Sequence, residues 1–367
     1  MKISKDSVKC IPSASDFFDQ LRHDISVAKD RVWIQCMSFE GDAIGQQLTE
    51  ALIASPASDK RLMVDSYSKL VHNDTVLAFP TAWINIPLLK ERYQTAQCWK
   101  KMKKNKVQVH FTNPLGILGI KYPMRNHKKM IIIDDHVYIG GRNFCDHNFK
   151  WNDLMVKIKI PSVTAFLIKD FSSTWSGTDL IESFQSNIVS GWLLNGFYSE
   201  HHYNEIINCL SESKKSIEIV SPYISGPFLR KLCYIAREKS IDLKLYIPEN
   251  NNKPIITGYL NYYQSQFPLK ICYIQGDMNH SKVIISDDQK VWFGSCNFDC
   301  ISYCSEQPEI VISFNDTDIV KQFKNTLFNE MIWQEKITPT TSKLRQYASY
   351  KLLQLVEWGL IKKANRS

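Results

Sequence analysis

The stretch of sequence that decides the fold lies between residues 125 and 143 and occurs again between residues 278 and 297. The first copy reads Arg-Asn-His127-Lys-Lys129-Met-Ile-Ile-Ile-Asp134, followed after three residues by Tyr-Ile-Gly140-Gly-Arg-Asn143. The second reads Met278-Asn-His280-Ser-Lys282-Val-Ile-Ile-Ser-Asp287, followed after four residues by Trp-Phe-Gly294-Ser-Cys-Asn297. The two histidines are 280 − 127 = 153 residues apart. A match of this kind is hard to obtain by accident, so it predicts an internal duplication.

In each copy the lysine follows the histidine by two residues. Side chains alternate along an extended strand, so the imidazole and the ammonium group are expected on the same face. The apolar runs 130–133 and 283–285 continue each strand into the interior. Each half is therefore predicted to present a histidine beside a lysine at one end of a buried strand.

Two such strand ends, brought together by pseudo-twofold symmetry, would make one pocket with two imidazoles and two ammonium groups. This set suits a phosphate, because lysines neutralise its oxygens and imidazoles exchange protons near neutral pH. No dense carboxylate cluster and no Cys/His ligand spacing is visible in the sequence. The chemistry is therefore predicted to run without a metal or another cofactor.

The duplicated His-x-Lys-x4-Asp motif, with Gly-Gly/Ser-x-Asn after it, resembles the phospholipase D superfamily over most of the chain. The sequence Trp151-Asn-Asp153 after the first motif is most similar to the bacterial cardiolipin synthase and phospholipase D branch. The resemblance implies a two-step transfer through a covalent phosphohistidine. One imidazole attacks phosphorus, and the other protonates the leaving alcohol and then deprotonates water or an acceptor alcohol.

By the resemblance, His127 is the favoured nucleophile and His280 the acid and base, with the reverse assignment open. An imidazole in this role needs a carboxylate on its far nitrogen, which fixes the tautomer and stabilises the cation. Asp153 and Glu309, each just ahead of the strand after a motif, are the candidates by position. Glu306 is the fallback for Glu309.

The other motif residues have roles that the resemblance implies. Lys129 and Lys282 would bind the phosphoryl oxygens. Further donors to those oxygens would be Asn143, Ser295 and Asn297. The aspartates of the two motifs, Asp134 and Asp287, are expected to be structural.

The two copies differ in two places. Five residues separate Asp134 from Gly140, whereas six separate Asp287 from Gly294, so the first hairpin is one residue shorter. Arg142 occupies a position where a small residue is more usual. Its charge would either bind a second phosphate of an acidic phospholipid or point outward.

The fold class is predicted to be α/β, with two similar phospholipase D-like halves packed with pseudo-twofold symmetry around one active site. Each half would hold a mixed, largely parallel sheet flanked by helices. The halves are expected at 1–180 and 181–367, the second including a C-terminal helix. The expected helices lie at 15–28, 43–54, 203–213 and 227–239, with further helices holding Trp175 and Trp333. The expected strands lie at 31–38, 61–65, 106–111, 154–160, 216–221, 243–248, 269–274 and 310–314.

Three segments outside this repeat carry apolar and basic residues. The stretch from Val76 to Leu89, the basic run Lys100 to Lys106 and the segment from Pro114 to Pro123 would either cap the core or rest on a membrane beside the pocket. The tail from Thr341 to Lys363 shows a helical pattern. Docking of that helix on the domain is the default, and interfacial membrane contact is the alternative.

Composition limits the partners and the compartment. A net charge of +8 on 367 residues favours an anionic partner, either lipid headgroups or nucleic acid. Ten cysteines without Cys-x-x-Cys pairs indicate a reducing compartment. There is no signal-peptide-like start and no run of 18 apolar residues. The expected location is cytoplasmic, peripheral to the inner face of the membrane, or else outside the cell after export without a cleavable signal peptide.

The leading hypothesis is a phosphatidyltransferase or phosphodiesterase that acts on glycerophospholipids, with cardiolipin synthase or phosphatidylserine synthase activity as narrower versions. Its partners would be a phospholipid, the membrane surface, and water or an acceptor alcohol, and the oligomeric state a monomer with an internal pseudo-dimer. A nuclease is the first alternative; nucleic acid is the less favoured substrate because nucleases of this kind can be short single-motif chains. The second alternative is a non-catalytic peripheral membrane-binding protein.

Overall fold

The computed structural model describes residues 7–72, 75–76, 84–116, 121, 124–329, 331–336 and 340–364. The chain divides into two units, Asp6–Leu180 and Ile181–Ser367, called here the N-terminal and C-terminal halves. Each half contains one copy of the duplicated motif and has its own sheet. Their arrangement around one shared site stays a prediction.

The N-terminal half alternates strands and helices, as its sequence pattern predicts. Its elements are β1 (Val8–Ile11), α1 (Ala14–Val27), β2 (Arg31–Cys36), α2 (Ala43–Ala54), β3 (Asp59–Asp65), β4 (Val71–His72), β5 (Thr75–Val76), α3 (Ile86–Lys104), β6 (Gln108–Thr112), β7 (Met130–Ile133), β8 (His136–Gly140), α4 (Asp146–Phe149), β9 (Met155–Ile158) and α5 (Pro161–Trp175). Ser13 caps α1, because its hydroxyl accepts the Asp16 backbone N–H at 3.2 Å; the sequence offered Ser13 or Ser15 for this role.

The C-terminal half repeats this order. Its elements are β10 (Ser183–Gln185), β11 (Val189–Asn195), α6 (Glu200–Ser211), β12 (Ser216–Val220), α7 (Phe228–Lys239), β13 (Asp242–Pro248), α8 (Pro254–Gln266), β14 (Leu269–Ile274), β15 (Val283–Ser286), β16 (Lys290–Gly294), α9 (Cys300–Cys304), β17 (Pro308–Phe314), α10 (Thr317–Phe328), β18 (Trp333–Lys336) and α11 (Lys343–Ala364).

The seven strands of the first sheet correspond in order to seven of the second, which has β10 and β18 as additional edge strands. The seven-stranded sheet has the order β1-β9-β8-β7-β2-β3-β6, and the nine-stranded sheet has the order β10-β11-β17-β16-β15-β12-β13-β14-β18. In both sheets the motif strand, β7 or β15, pairs with a hairpin partner on one side and with β2 or β12 on the other. The prediction of two similar α/β halves is confirmed.

Parallel pairing is less common than the sequence pattern suggested. It occurs at β2-β3 and β3-β6, and again at β12-β13 and β13-β14, while the other pairings within the two large sheets are antiparallel. The sheets are mixed as predicted, but the expectation that they are largely parallel is wrong. The reason is that a tight hairpin joins each motif strand to the next strand, and that strand pairs antiparallel with a third one.

The seven-stranded sheet of the N-terminal half is covered by helices on both faces. On one face, the apolar sides of α1, α2 and α3 pack over residues such as Ile34, Val64 and Ile131 in a single buried cluster. On the other face α5 lies against the motif hairpin, and Phe171 stacks on Trp33 with a ring separation of 5.0 Å. The motif strand therefore runs between two packed layers, which holds its position firmly.

Some sequence-based expectations change in the structure. Trp333 begins strand β18, which pairs with β14, rather than belonging to the helix before it. The stretch from Val76 to Leu89 is described only at its ends, where α3 already begins at Ile86, and 77–83 lie outside the described residues. Most of the segment from Pro114 to Pro123, at 117–120 and 122–123, also lies outside them.

Candidate active site

A buried carboxylate, that of Asp65, holds the two residues that precede the histidine of the N-terminal motif. Asp65, at the end of β3, is fully buried and accepts the Arg125 guanidinium and the Asn126 backbone N–H, both at 2.6 Å. The Asn126 side-chain oxygen in turn accepts the Lys128 backbone N–H at 3.2 Å. The chain therefore enters the motif with its backbone fixed before it reaches His127.

The histidine and lysine of this motif lie together, as the alternation predicts. His127 and Lys129 are both buried, and the Lys129 ammonium donates to the His127 carbonyl at 2.9 Å. The side chain of the intervening Lys128 points to the opposite side, where its ammonium group forms a buried ion pair with Asp170 at 2.6 Å. The two residues precede β7, which begins at Met130, so they lie on its extended approach rather than within it.

The C-terminal motif repeats this geometry. The Asn279 side-chain oxygen accepts the Ser281 backbone N–H at 3.1 Å, as Asn126 does in the first half. The Lys282 ammonium lies 3.0 Å from the ring nitrogens of His280 and donates to its carbonyl at 2.6 Å. Each half thus places an ammonium group beside the backbone or ring of its histidine.

Tyr223 is a neighbour of the second histidine that the sequence analysis missed. Its ring meets the His280 ring edge-on, with centroids 5.9 Å apart, and its hydroxyl donates to Asn252 at 2.7 Å. The strand register explains why the two rings meet. Val220 at the end of β12 pairs antiparallel with Val283 at the start of β15. Tyr223 follows Val220 by three residues and His280 precedes Val283 by three, so both lie at the same edge of the sheet. That register could not be read from the sequence alone.

The motif aspartates anchor the far end of each motif strand. The Asp134 carboxylate accepts the backbone N–H groups of Lys29, Asp30 and Arg31, each at 2.9 Å. The Asp287 carboxylate accepts three N–H groups in the same way, at 2.8–2.9 Å. Partial burial acts to raise the pKa of both carboxyls, but the three donors outweigh it and hold each pKa below the usual value.

In the C-terminal half, Glu309 is fully buried and hydrogen-bonded by serines. It accepts the hydroxyl of Ser295 and, at 3.2 Å, that of Ser302. The Ser295 oxygen also accepts the Ile310 backbone N–H at 3.0 Å. The Ser295 hydroxyl therefore donates within this half and fixes the Glu309 carboxylate.

In the N-terminal half, the equivalent carboxylate belongs to Asp153. Gly141 stands where the second half has Ser295, and a Cβ atom at Gly141 would lie 2.4 Å from an Asp153 carboxylate oxygen. The Leu154 backbone N–H donates to the Asp153 carboxylate at 2.8 Å. The glycine thus leaves the space that the Asp153 carboxylate occupies, and a larger residue at position 141 would displace that carboxylate.

Arg142 neither points outward nor presents its charge to a second phosphate. It is 3% exposed and donates to the carbonyls of Pro12, Trp151 and Asp153 at 2.7–3.1 Å. Burial lowers its pKa, and the nearby Asp153 carboxylate opposes that effect. Both expectations for this residue are corrected: the guanidinium holds the segment that carries Asp153 in place.

The remaining candidates differ in their surroundings. The Asn143 side chain accepts the Ser38 backbone N–H at 3.1 Å and donates to Asn148 at 2.9 Å. Among the described groups, the Asn297 side-chain oxygen is buried and has no hydrogen-bond partner. Glu306, the fallback for Glu309, instead accepts the Tyr198 hydroxyl at 3.4 Å.

Two groups of side chains in the described part of the chain have the composition to hold a metal ion. One is Glu40 with Cys145 and His147, and the other is Glu40 with His72 and Glu91. Neither contains a motif histidine or lysine. Sequence spacing gave no sign of them, because the fold gathers their members from distant segments.

The fold places the chain in a known structural class. The crystal structure of phosphatidylserine synthase from Haemophilus influenzae Rd KW20 aligns over 97% of this chain and 96% of that one, with a TM-score of 0.75 and 13% sequence identity. Polyphosphate kinase from Porphyromonas gingivalis aligns over 95% of this chain and 55% of its own, with a TM-score of 0.59 and 11% identity. At these identities the likeness is one of fold.

Sequence comparison gives the family. The family described as "Cardiolipin synthase, PLD-like domain" matches residues 21–175 and 206–333, and the chain belongs to it. It is thus an enzyme of the phospholipase D superfamily. The major cardiolipin synthase ClsA of Bacillus subtilis (strain 168) is 25% identical over 363 residues, which cover 90% of this chain and 70% of that protein. The cardiolipin synthase of Clostridium perfringens (strain SM101 / Type A) is 22% identical, covering 92% and 72%.

Proposed function

We propose that this enzyme transfers the phosphatidyl group of a glycerophospholipid to water or an alcohol through a covalent phosphohistidine. The observation that carries the proposal is the same buried arrangement in both halves: a histidine with a lysine two residues on, an asparagine that fixes the backbone before it, and a buried carboxylate in the segment after it. One such half offers a phosphate a single imidazole. Two offer a nucleophile and a separate proton donor.

The proposed reaction has two steps. In the first, an imidazole nitrogen of His127 attacks phosphorus, the bond from phosphorus to the leaving alcohol breaks, and His280 gives its proton to the departing oxygen. In the second, His280 takes a proton from water or an acceptor alcohol, whose oxygen attacks phosphorus and breaks the phosphorus–nitrogen bond. The enzyme returns to its starting state, and the acceptor alone decides between hydrolysis and transfer.

The surrounding groups would support these steps in different ways. Lys129 and Lys282 would neutralise the phosphoryl oxygens, and Asn297 would donate to them. Asp153 and Glu309 would each serve one imidazole, fixing its tautomer and stabilising its cation. We assign Ser295 to holding Glu309 rather than to binding phosphate, because its hydroxyl proton is already donated to that carboxylate.

The narrower proposal is cardiolipin synthesis, and the family and the named relatives support it. With phosphatidylglycerol as donor, glycerol is the leaving alcohol. With the hydroxyl of a second phosphatidylglycerol as acceptor, the product is cardiolipin. Phosphatidylserine synthesis would use the same intermediate with serine as acceptor.

We further propose that helix α11 brings the enzyme to an anionic membrane surface. Its large apolar side chains face outward, with Leu344, Leu355 and Trp358 at 80%, 63% and 60% exposure. Its only acid, Glu357, points inward and pairs with Arg230 at 2.5 Å, whereas the helix has five lysines and arginines. None of the helices in the described ranges combines the length and hydrophobicity needed to cross a bilayer. A basic, apolar helix face suits binding in the plane of a membrane.

The test is a vesicle assay in chelator-containing buffer. The enzyme is incubated with phosphatidylglycerol vesicles and ethanol, and phosphatidylethanol, phosphatidic acid and cardiolipin are measured. We expect all three products from the parent enzyme and a loss of at least about 1,000-fold for His127→Ala and for His280→Ala. His201→Ala, at an exposed histidine on α6, is the matched control. Cleavage of DNA by the parent with no lipid product would overturn the proposal in favour of a nuclease.

A further inference from the structure

Five potential metal ligands lie together in the N-terminal half, outside the duplicated motif. They come from four separate segments: Glu40 after β2, His72 in β4, Glu91 in α3, and Cys145 with His147 at α4. In each group of three that shares Glu40, the ligand atoms lie within 4.8 Å of one another. Such groups seldom meet by chance in a protein interior, because burying carboxylates together is unfavourable unless something neutralises them.

His72 is arranged as a metal ligand. Its side chain is 1% exposed, and its ring makes a hydrogen bond to the Ser68 backbone carbonyl. Nδ1 is buried, has no hydrogen-bond partner among the described residues, and faces Glu91. A ring whose second nitrogen donates to a carbonyl is the usual orientation of a histidine that binds a metal.

Glu91 offers a second buried atom without a hydrogen-bond partner among the described residues, opposite His72 Nδ1. Its Oε1 is buried, lies 4.0 Å from His72 Nδ1, and has no hydrogen-bond partner in the described part of the chain. Two potential ligand atoms that face each other at this distance leave room for a cation between them. Ligands of a tetrahedral Zn²⁺, at about 2.0–2.1 Å from the ion, lie about 3.3 Å apart, so a shift of less than about 1 Å would close the site.

The backbone brings Glu91 to Glu40 and keeps it there. Helix α3 approaches so closely that a Cβ atom at Gly41 would lie 2.2 Å from the Thr95 backbone nitrogen. The Gly41 N–H donates to the Thr95 hydroxyl at 2.6 Å, and that hydroxyl donates to the Glu91 carbonyl at 2.8 Å. Glu91, one turn before Thr95, is thereby held beside the segment that carries Glu40.

We propose that Glu40, His72 and Glu91 bind one divalent transition-metal ion, for which Zn²⁺ is the probe. Imidazole selects such ions over Mg²⁺ and Ca²⁺, which prefer oxygen ligands alone. Cys145 and His147 form the second group with Glu40: His147 Nδ1 lies 3.7 Å from Glu40 Oε2, and His147 Nε2 lies 3.7 Å from Cys145 Sγ. The ion site lies outside the duplicated motif and does not depend on the proposed phosphatidyl transfer.

The ion would join α3 and β4 to the end of the first motif. The Glu40 backbone N–H donates to the Phe144 carbonyl at 3.0 Å, and the Asp146 backbone N–H donates to Asp42 at 2.5 Å. Phe144 directly follows the motif residue Asn143. Binding should therefore raise the melting temperature of the full-length protein, by about 5 °C at saturating Zn²⁺.

The experiment is a Zn²⁺ titration of the chelator-treated full-length chain against a fluorescent competitor, together with a thermal melt. We expect one tight site per chain, weakened at least about 100-fold by His72→Ala and by Glu91→Gln. Glu91→Gln keeps the size of the side chain, so its melting curve without metal should match that of the parent. His23→Ala and Glu50→Gln, at exposed positions on α1 and α2, are the controls and should leave the affinity unchanged.

Two outcomes would overturn the site. One is that the parent binds Zn²⁺ no more tightly than His72→Ala. The other is that Cys145→Ser abolishes binding while His72→Ala does not. Co²⁺ substitution separates the ligand sets directly: the proposed one gives no thiolate-to-cobalt charge-transfer absorption, whereas ligation by Cys145 would produce it.

Discussion

Positions 141 and 295 are equivalent in the two halves, and the residue at each suits the carboxylate beside it. In the first half a glycine leaves space for the short side chain of Asp153. In the second half a serine hydroxyl fills that space and donates to the longer Glu309. Position 141 and position 153 therefore depend on each other, and so do positions 295 and 309. Exchanging only one member of either pair should misplace the carboxylate.

Substitution of Ser295 should impair catalysis without unfolding the protein. Ser295→Ala removes the hydroxyl that fixes Glu309, and we expect a fall in kcat of about 10–100-fold with a smaller change in KM. The pH profile of kcat should shift as well, because the carboxylate would hold its imidazole less firmly. Ser302→Ala, which removes the longer 3.2 Å bond to Glu309, should have a weaker effect. Equal kcat values for Ser295→Ala and the parent would contradict this role.

The motif aspartates should make stability sensitive to acid. Because each pKa is held below its usual value of 3.8 in the folded chain, the stabilisation is present above that value and is lost as pH falls through the folded pKa. Asp134→Ala and Asp287→Ala should each lower the free energy of unfolding at pH 7 by on the order of 2 kcal/mol. The difference from the parent should shrink below about pH 4.

Denaturant unfolding at several pH values measures this directly. Asp277→Ala, at an exposed aspartate, is the control and should cost less than about 0.5 kcal/mol. A deficit for Asp134→Ala that stays constant down to the lowest pH would mean that the charge of the carboxylate is not what stabilises the strand end.

At the level of elements, the two hairpins explain the length difference between the motifs. In the first, Ile133 pairs with His136, so the turn has two residues and Asp134 adopts a positive φ of 45°. In the second, Ser286 pairs with Lys290, so the turn has three residues, and Asp287 and Asp288 both have positive φ. The extra residue is absorbed in the turn, and the strands remain in equivalent register.

Helix α5 is attached to its sheet through the buried pair of Lys128 and Asp170. Both side chains are fully buried, so removing Asp170 leaves the Lys128 ammonium with only the longer 3.7 Å contact to the partly exposed Asp179. We expect Asp170→Asn to lower the free energy of unfolding by about 3–5 kcal/mol. The double variant Lys128→Met/Asp170→Leu should be more stable than Asp170→Asn alone.

Denaturant unfolding of these two variants measures the contribution of the buried ion pair, and a variant of the exposed pair between Lys101 and Glu50 serves for comparison. Lys101→Met breaks the ion pair with Glu50, where the side chains are 52% and 61% exposed, and should cost no more than about 1 kcal/mol. If the double variant were the least stable of the three, the cost would lie in packing rather than in the unpaired charge.

The outward face of α11 makes a prediction for membrane binding. Leu355→Ser/Trp358→Ser removes two large exposed apolar side chains and should weaken binding to phosphatidylglycerol vesicles at least about tenfold. Co-sedimentation with vesicles measures the change. Val27→Ser, at a similarly exposed residue on α1, is the control and should bind like the parent. If the double variant binds vesicles normally but changes from dimer to monomer, the face is an interface between copies.

For the whole molecule, the sequence was informative where the chemistry repeats at fixed spacing. The duplicated motif predicted two similar halves, and most helices and strands lie within a few residues of their expected positions. The strands are predictable because alternation and apolar runs are local patterns. The cap of α1 at Ser13 is local in the same sense.

What the sequence could not predict depends on contacts between distant segments. Arg142 looked like a free charge because nothing nearby in sequence shows that the Pro12 carbonyl lies beside it. The tail helix docks on α8, as the default expectation had it, but the sequence did not show which face would pack: Tyr350 stacks on Tyr262 at 4.0 Å, and Leu355 stays exposed. The cluster of His72 and Glu91 exists only because α3 folds back onto β4.

The central claim is that two histidines, one from each half, act on the same phosphorus through a covalent intermediate. The most direct measurement is mass spectrometry of enzyme quenched in alkali during turnover of phosphatidylglycerol, which locates the phosphatidyl adduct. We predict an adduct on His127 in the parent, its absence in His127→Ala, and its persistence in His280→Ala after the donor lipid is removed. Steady turnover with no adduct on either histidine would contradict the account.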